Sequence, residues 1–336
     1  MRDLTLENLK TNMESNGRAL ELFAAYIRHE PELVKPEMIK TICDDCKAAP
    51  EQAFAAILSA AFGLDPENDR SDRIFERRYV EKAVKLLDPA DYESDPYYVN
   101  IAVKGAKRGK WELCTKSYAP YEGFVYDDIL CLDDHVELPR IGFFEKRFRF
   151  AAVLENGIEW MTITPNEINT MRAPVSQARG KVLTYGLGMG YFAYMAHRKD
   201  GVESVTVVER DPDVISLFKE FILPQFDRPE KIGIVRADAF EHAGKILPTS
   251  DFDFVFVDLW HDVSDGLDMY FRMKKKERLS PHIEFTYWIE RSLISALRRM
   301  VYEELISRRG ITASEILPML EDGYLISLAG DIRRQD

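Results

Sequence analysis

A chain of 336 residues, 46% of them apolar and 30% charged, has room for two or three globular domains, each with its own core. Its net charge of −12 leaves no electrostatic footprint for a phosphate backbone, so we expect no nucleic-acid partner. No apolar run reaches the roughly 18 residues of a membrane-spanning helix and the first residues lack an apolar signal region, so we expect a cytoplasmic protein without a membrane partner.

Residues 1–92 are predicted to form an N-terminal helical module. Apolar residues recur at helical spacing in four stretches, and prolines at the start of the second and third suit the first turn of a helix. This module fits a role in substrate specificity or in a homo-oligomer, and both alternatives stay open. The four predicted helices cover Leu6–Ile27, a segment from Pro36, Pro50–Phe62 and Ser71–Leu87.

Cys43 and Cys46 have the spacing of a pair of metal ligands. No second pair of Cys or His stands at a zinc-site distance from them. On a helix, residues three apart share one face, so we expect these thiols to pack against the protein and expect no metal site.

Residues 93–175 are predicted to form a small antiparallel β region. Its clearest element is a hairpin, Phe148–Leu154 and Ile158–Ile163, because Asn156-Gly157 between two apolar runs is a strong turn signal. The segment Thr164–Asn169 that follows is predicted to be a turn leading to the next domain.

Residues 176–336 are predicted to form a Rossmann-like α/β domain with a doubly wound, mainly parallel sheet and a helical C-terminal extension. Near-continuous apolar strands alternate with helical stretches, which is typical of a sheet covered on both faces. In such a sheet ligands bind beyond the carboxyl ends of the strands, where acidic residues stand here. The predicted strands are Lys181–Tyr185, Ser204–Glu209, Ile232–Arg236 and Phe252–Asp258.

Beyond Asp262 the pattern predicts a helix over Ser264–Lys276 that ends in a solvated basic run, Lys274–Lys276. A second helical stretch is predicted within Ser280–Arg309. Asp322-Gly323 then precedes a predicted last strand, Tyr324–Leu328.

Three glycines at alternate positions, Gly186, Gly188 and Gly190, separate the first strand from a predicted helix, Phe192–His197. Strand, glycine turn and helix in this order predict a nucleotide-type site, because glycine lets the backbone approach a ligand and the helix offers unpaired N–H groups. One interpretation is a dinucleotide bound by a loose fingerprint that starts at Gly188, with Glu209 on a ribose hydroxyl.

The second interpretation is S-adenosylmethionine. The glycine turn would then pass its methionine part, and Glu209 would accept from the ribose hydroxyls. Asp238 would reach the adenine amino group, Ala239 or Phe240 would border the ring, and Asp258 would lie near the reacting centre. Suitable residues at the ends of four successive strands identify the ligand more specifically than one glycine motif does.

At this point the chain resembles the class I S-adenosylmethionine-dependent transferases, and among them the spermidine synthase-like branch. The resemblance lies in Val182-Leu183-Thr-Tyr-Gly186-Leu-Gly188-Met-Gly190 and Val208-Glu209-Arg-Asp211-Pro-Asp-Val214-Ile215, and it covers roughly Phe148–Asp262. It implies S-adenosylmethionine as the cofactor. Aminopropyl transferases of that branch usually carry an acidic residue within the glycine turn, where this chain has Met189. Glu167 and Asp258, in contrast, match acidic residues of that branch that bind the substrate or lie at the reacting centre.

We therefore expect a methyltransferase that acts on a small acceptor, amine or otherwise cationic, by in-line displacement. Asp258, His261 and Asp262 are the candidate catalytic residues, and Glu167 and Trp260 the candidates for substrate binding. The alternative interpretations are a loop histidine that caps backbone, an N-cap for Asp258 and core packing for Trp260. An aminopropyltransferase, a NAD(P)-dependent oxidoreductase and a non-catalytic binder remain alternative functions.

Overall fold

The N-terminal part of the chain is helical in the structure, a computed structural model that describes residues 5–332. Thr5 caps the first helix through its side-chain oxygen, and Pro36 and Pro50 occupy the first turns of the next two. The elements up to residue 100 are α1 (Leu6–His29), α2 (Pro36–Cys46), α3 (Pro50–Ala61), α4 (Arg70–Phe75), α5 (Glu81–Ala83), β1 (Val84–Leu86), α6 (Ala90–Glu93) and α7 (Pro96–Asn100).

The predicted fourth helix, Ser71–Leu87, is wrong as a continuous element. A π-helical turn at Glu76–Val80 interrupts it, and its last residues form β1, which pairs in parallel with Ile141–Phe143. The apolar spacing of this segment fits a helix, but the pairing partner lies more than 50 residues further along the chain. Tertiary pairing therefore overrides local periodicity here.

Short strands fill the middle of the chain. The hairpin is confirmed: Glu155 pairs with Ile158, and Asn156 and Gly157 have φ of 52° and 84°, as a two-residue turn with two left-handed residues requires. The strands are β2 (Ala106–Arg108), β3 (Trp111–Tyr118), β4 (Phe124–Val125), β5 (Leu130–Cys131), β6 (Glu137–Leu138), β7 (Ile141–Phe143), β8 (Phe148–Glu155) and β9 (Ile158–Thr162).

The segment Thr164–Asn169 is the start of a helix, α8 (Pro165–Gln177), and its prediction as a turn is wrong. Thr164 has the extended backbone of an N-cap residue, and Pro165 takes the first helical position. Thr-Pro is a helix-start signal as well as a turn signal. The packing of Ile168 and Met171, both buried, favours the helix.

A parallel sheet forms the centre of the remaining chain. Within the described residues its strand order is β12-β11-β10-β13-β14, so the order reverses between β10 and β13. Its elements are β10 (Gly180–Tyr185), α9 (Tyr191–His197), β11 (Val202–Glu209), α10 (Pro212–Leu217), β12 (Ile232–Arg236), α11 (Ala239–Lys245), β13 (Phe254–Val257), α12 (Val263–Glu277), β14 (Glu284–Tyr287), α13 (Glu290–Ile306), α14 (Ala313–Leu320) and α15 (Asp322–Ala329). Helices alternate with the strands, so the Rossmann-like α/β prediction is confirmed at the level of the sheet.

Two predictions beyond Asp262 are corrected, while the helix predicted within Ser280–Arg309 is confirmed as α13, with a fifth strand, β14, before it. Tyr324–Leu328 is helical, because Leu325 and Ala329 bury one face of α15 in the core that contains Leu293 and Leu297 of α13. Lys274 is not a solvated residue: it is buried and forms an ion pair with Glu277.

The chain divides into two compact units. The first comprises the chain up to Tyr92, Ser117–Arg149 and Gly310–Ser314, and the second comprises Glu93–Lys116, Phe150–Arg309 and the chain from Glu315 on. The sequence-based division into 1–92, 93–175 and 176–336 stays a prediction. No helix in residues 5–332 is long and apolar enough to cross a membrane.

The first unit has its own core, in which the ring of Phe54 on α3 stacks on Phe143 of β7 at 4.2 Å between ring centroids. Cys43 packs at the margin of this core, whereas Cys46 is exposed. The prediction that the Cys43–Cys46 pair packs against the protein therefore holds for one of the two thiols.

Candidate active site at the glycine turn

The turn between β10 and α9 uses all three of its glycines. Gly186, Gly188 and Gly190 have φ of 99°, 49° and 74°, a region that side chains with a Cβ rarely adopt. A Cβ on Gly186 would collide with the carbonyl oxygen of Asp258, and one on Gly188 with the thioether of Met161. The turn therefore packs against the end of β13 and against β9, and the backbone of Asp258, which cannot move aside, makes glycine necessary at position 186.

Glu209, at the end of β11, is bound to this turn. Its carboxylate accepts from the backbone N–H of Leu187 at 3.3 Å and from those of Arg210 and Asp211 at 2.8 Å each. Burial raises the pKa of Glu209, and the three N–H groups oppose that rise. The predicted ribose-binding carboxylate thus also holds the glycine turn against the sheet.

A small cavity lies under the turn, within the second unit. Its free space is about 10 Å³, which is room for about one water molecule. Its walls include Met161, Glu167, Gly186, Leu187, Tyr191 and Asp258. The Met161 side chain borders this space from β9, and its sulfur accepts from the N–H of Met189 at 3.2 Å.

Two carboxyl groups face this cavity from different elements. Glu167 in the first turn of α8 is only 5% exposed, and its Oε1 atom has no hydrogen-bond partner among the described residues. Burial, and then the negative charge of Asp258, raise the pKa of Glu167 well above its usual range. Burial raises the pKa of Asp258 to about 7. A cation placed between them would favour the ionised form of both groups.

Among the described residues that line the cavity, none is basic. No Lys or Arg of the described cavity wall therefore neutralises the two carboxyl groups. Such a pair can bind a positively charged group, and at neutral pH one of its members can hold or release a proton.

Asp238 and Ala239 stand at the end of β12, outside the cavity. The Asp238 carboxylate caps α11 by accepting from the backbone N–H groups of Phe240 and Glu241 at 3.0 Å each. Ala239 is buried at the start of the same helix, and the ring of Phe240 lies 3.7 Å from the guanidinium carbon of Arg272. Contacts of these residues with an adenine ring stay a prediction.

The loop after β13 brings only its first residue to the cavity. His261 is exposed, stacks on Trp160 and donates through Nδ1–H to the Trp160 carbonyl oxygen, 3.2 Å away. Asp262 caps α12 by accepting from the N–H of Ser264. Neither lines the cavity with Asp258. Their predicted catalytic roles stay predictions, and the interpretation as a capping residue fits Asp262 itself.

Trp260 points into the core instead of the cavity. It is 4% exposed, its ring stacks against Tyr287 of β14, and its Nε1 has no partner in the described part of the chain. These surroundings agree with core packing, one of the two interpretations of Trp260. Substrate binding by Trp260 stays a prediction.

Met161 and Tyr191 are among the wall residues that the sequence reasoning missed. Tyr191 directly follows the last glycine and is buried, so its place in the turn was the available signal. Met161 had no signal, because its contact with Gly188 joins segments 27 residues apart. Within residues 5–332, no group of three or more His, Cys, Asp or Glu side chains is arranged to hold a metal ion.

Comparison with known proteins gives partial structural likenesses. No family model matches the chain, and no curated protein matches it in sequence. Among solved structures, the spermidine synthase from Thermotoga maritima is 19% identical over 46% of this chain and 59% of its own, with a TM-score of 0.33. A spermidine synthase in complex with the transition-state analogue AdoDATO is 19% identical over 46% of this chain and 61% of its own, with a TM-score of 0.35.

The SAH-bound methyltransferase PaMTH1 of Podospora anserina is 12% identical over 48% of this chain and 65% of its own, with a TM-score of 0.30. The chain thus spans less than two thirds of each of these structures. They are of the two kinds that the motifs resemble.

Proposed function

We propose that this protein is an S-adenosylmethionine-dependent transferase, with methyl transfer to a small cationic or amine acceptor as its reaction. The observation that carries the proposal is the cavity under the glycine turn. It lies at the point where the strand order reverses, and two buried carboxyl groups face it, with no basic residue among the described residues of its wall.

The residue types at the turn fit such a donor, but the free space of about 10 Å³ has to widen before the donor can enter. The glycine turn offers close backbone approach, Glu209 retains acceptor capacity beside it, and the free Oε1 of Glu167 suits a cationic group. Met161 has to turn away from Gly188 for a ligand to lie there, which a methionine side chain with three rotatable bonds does readily. Asp238 and Ala239 would border the adenine ring.

When bound, the sulfonium donor supplies a methyl group that an acceptor lone pair attacks in line, and the C–S bonding electrons leave with the sulfur. The protein has to align the two partners, which lowers the barrier by roughly 7–11 kcal/mol in favourable cases. A protonated amine must lose its proton first. Asp258 would accept it, because burial raises the pKa of this carboxyl group to about 7.

Aminopropyl transfer is the second candidate, and the same cavity favours it. A decarboxylated donor carries only positive charges and needs no basic partner, and none of the described wall residues is basic. Met189 in the turn, where the aminopropyl transferases usually have an acidic residue, favours methyl transfer.

Titration calorimetry distinguishes these functions. Four ligands are compared: S-adenosylmethionine, its demethylated product, decarboxylated S-adenosylmethionine and NADPH. We expect the first two to bind. Tighter binding of the decarboxylated form would support aminopropyl transfer instead. Binding of NADPH alone would overturn the proposal in favour of an oxidoreductase.

A second measurement tests for catalysis. The protein is incubated with the donor and a pool of amine metabolites, and formation of the demethylated product is followed. We expect turnover with at least one acceptor. Binding without any transfer would instead support a non-catalytic binder.

A further inference from the structure

A short segment distant in sequence holds the glycine turn in place. The hydroxyl of Tyr97, on α7, donates to the carbonyl oxygen of Met189 inside the turn at 2.7 Å. The hydroxyl of Tyr191, directly after the turn, donates to Oδ2 of Asp95 at 2.9 Å. Oδ1 of Asp95 in turn accepts from the N–H of Tyr97 at 2.9 Å. One connected set of hydrogen bonds therefore joins the turn to α7. Tyr97 of α7 donates to the turn, and Tyr191 after the turn donates to Asp95, which caps α7.

These hydrogen bonds lie out of contact with water. Tyr97 is 1% exposed, Tyr191 is 2% exposed and Asp95 is buried. The rings of Tyr97 and Tyr191 are 5.4 Å apart between centroids, so the hydroxyls have little freedom to find other partners. Removing one member of such a set leaves a buried acceptor unsatisfied, which costs more than an exposed hydrogen bond does.

The two peptide groups beside Met189 are oriented in different ways. The Met189 carbonyl is directed to Tyr97, and the Gly190 N–H of the same peptide donates to the Leu187 carbonyl at 2.7 Å. The Met189 N–H belongs to the preceding peptide and has the Met161 thioether, a weak acceptor, as its partner. A ligand oxygen can displace that thioether at little cost, provided that the turn keeps this orientation.

We propose that Asp95 and Tyr97 are positioning residues for the donor: they hold the turn so that the Met189 N–H stays directed at the Met161 thioether, which lines the cavity. The inference rests on the proposed function, since the cavity is taken to bind the donor. Neither residue lines the cavity, so both act through the turn. Left-handed Gly188 and Gly190 on either side of Met189 have no conformational preference of their own that would fix it.

The test replaces Tyr97→Phe and measures two quantities. The first is the affinity for S-adenosylmethionine and its demethylated product, which we expect to fall about tenfold through loss of one buried hydrogen bond. The second is hydrogen exchange of the ligand-free protein over residues 186–191, which we expect to become about tenfold faster while exchange over β10 stays unchanged. A side chain that only supports the fold would change both regions together.

Tyr194→Phe is the matched control. Tyr194 lies on α9, and its hydroxyl donates to the Pro96 carbonyl oxygen at 3.3 Å; its bond to the turn is made by its backbone N–H to the Gly190 carbonyl oxygen, which the substitution keeps. We expect affinity and exchange within about twofold of wild type. If Tyr97→Phe fails to fold, Asp95→Asn takes its place, because asparagine keeps the capping oxygen and loses the charged acceptor of Tyr191; about threefold weaker binding is expected.

Three outcomes separate the inference from the proposed function. Wild-type binding with unchanged affinity and unchanged turn exchange in Tyr97→Phe would overturn the inference alone. Equal loss in Tyr194→Phe would overturn it as well, because a general loosening of α9 would then be the cause. Absence of binding by the wild-type protein would overturn the proposed function, and this inference with it.

Discussion

The turn after β10 and the loop after β13 end neighbouring strands of one sheet, yet they meet the cavity in different ways. The turn approaches it with backbone, through Gly186 and Leu187, while the loop contributes one side chain, Asp258. The next residues of the loop serve other purposes, Trp260 in the core and Asp262 at a helix cap. A turn fixed by glycine backbone geometry is encoded locally, whereas the direction of each loop side chain depends on what packs around it.

The largest expected effect comes from placing a Cβ in the turn. Gly186→Ala meets the Asp258 carbonyl and has to adopt a φ of 99°. Backbone strain alone costs about 1–3 kcal/mol, and we expect donor affinity to fall at least about 100-fold because the turn has to shift. Calorimetry and urea unfolding measure the two effects.

Gly201→Ala is the control for that substitution. It lies in the connection after α9, and a Cβ there meets nothing within 4 Å. Unchanged donor binding in Gly186→Ala would show that the turn does not touch the ligand.

The next effect concerns the carboxylate that binds the turn. Glu209→Ala removes the acceptor of the Leu187 N–H and the proposed acceptor for the ribose hydroxyls. We expect donor affinity to fall by about 1–3 kcal/mol. Glu203→Ala, an exposed position on the same strand, should leave calorimetric affinity unchanged. Equal affinity of the two variants would remove Glu209 from the site.

On the loop side, the raised pKa of Asp258 predicts that stability and donor affinity depend on pH in opposite directions. Its pKa is raised from 3.8 to about 7, so the folded state favours the neutral form, and this contribution to stability is lost as pH rises from about 4 through 7. A cationic donor needs the ionised form, so its affinity should fall up to about tenfold for each pH unit below 7.

Asp258→Asn tests the pH dependence of stability and that of donor affinity together. Thermal unfolding of the ligand-free variant between pH 5 and 8 should depend less on pH than that of the wild type, and the variant should be the more stable of the two at pH 8. Calorimetry over the same range should give weaker binding with a shallower slope. An unaltered wild-type slope in the variant would assign the titration to another group.

The smallest effect is expected at the far end of the same loop. Asp262→Ala removes the cap of α12 and should lower the free energy of unfolding by about 0.5–2 kcal/mol. Donor affinity should stay within about twofold. A loss of affinity comparable to that of Asp258→Asn would bring Asp262 into the site and would break the contrast between the two ends of the loop.

Much of the fold could be predicted from local patterns. The Asn156-Gly157 hairpin and the strands from Lys181, Ser204 and Ile232 follow rules of two-residue turns and apolar runs, and the structure has them within a few residues. Val84–Leu86 and Tyr324–Leu328 could not be assigned this way. The first pairs with a strand far along the chain, and the second buries Leu325 as part of the helix α15.

The amino-acid order alone already specified the glycine turn, the carboxylate of Glu209 and the parallel sheet that carries them, because each depends on backbone freedom or on apolar runs within a few residues. Only the tertiary structure placed Glu167 opposite Asp258, Met161 over Gly188 and Tyr97 on the Met189 carbonyl. Each of these contacts joins distant segments: Met161 and Gly188 are 27 residues apart, and Tyr97 and Met189 are 92 residues apart. Side-chain direction and burial at such distances depend on packing, which no local pattern contains.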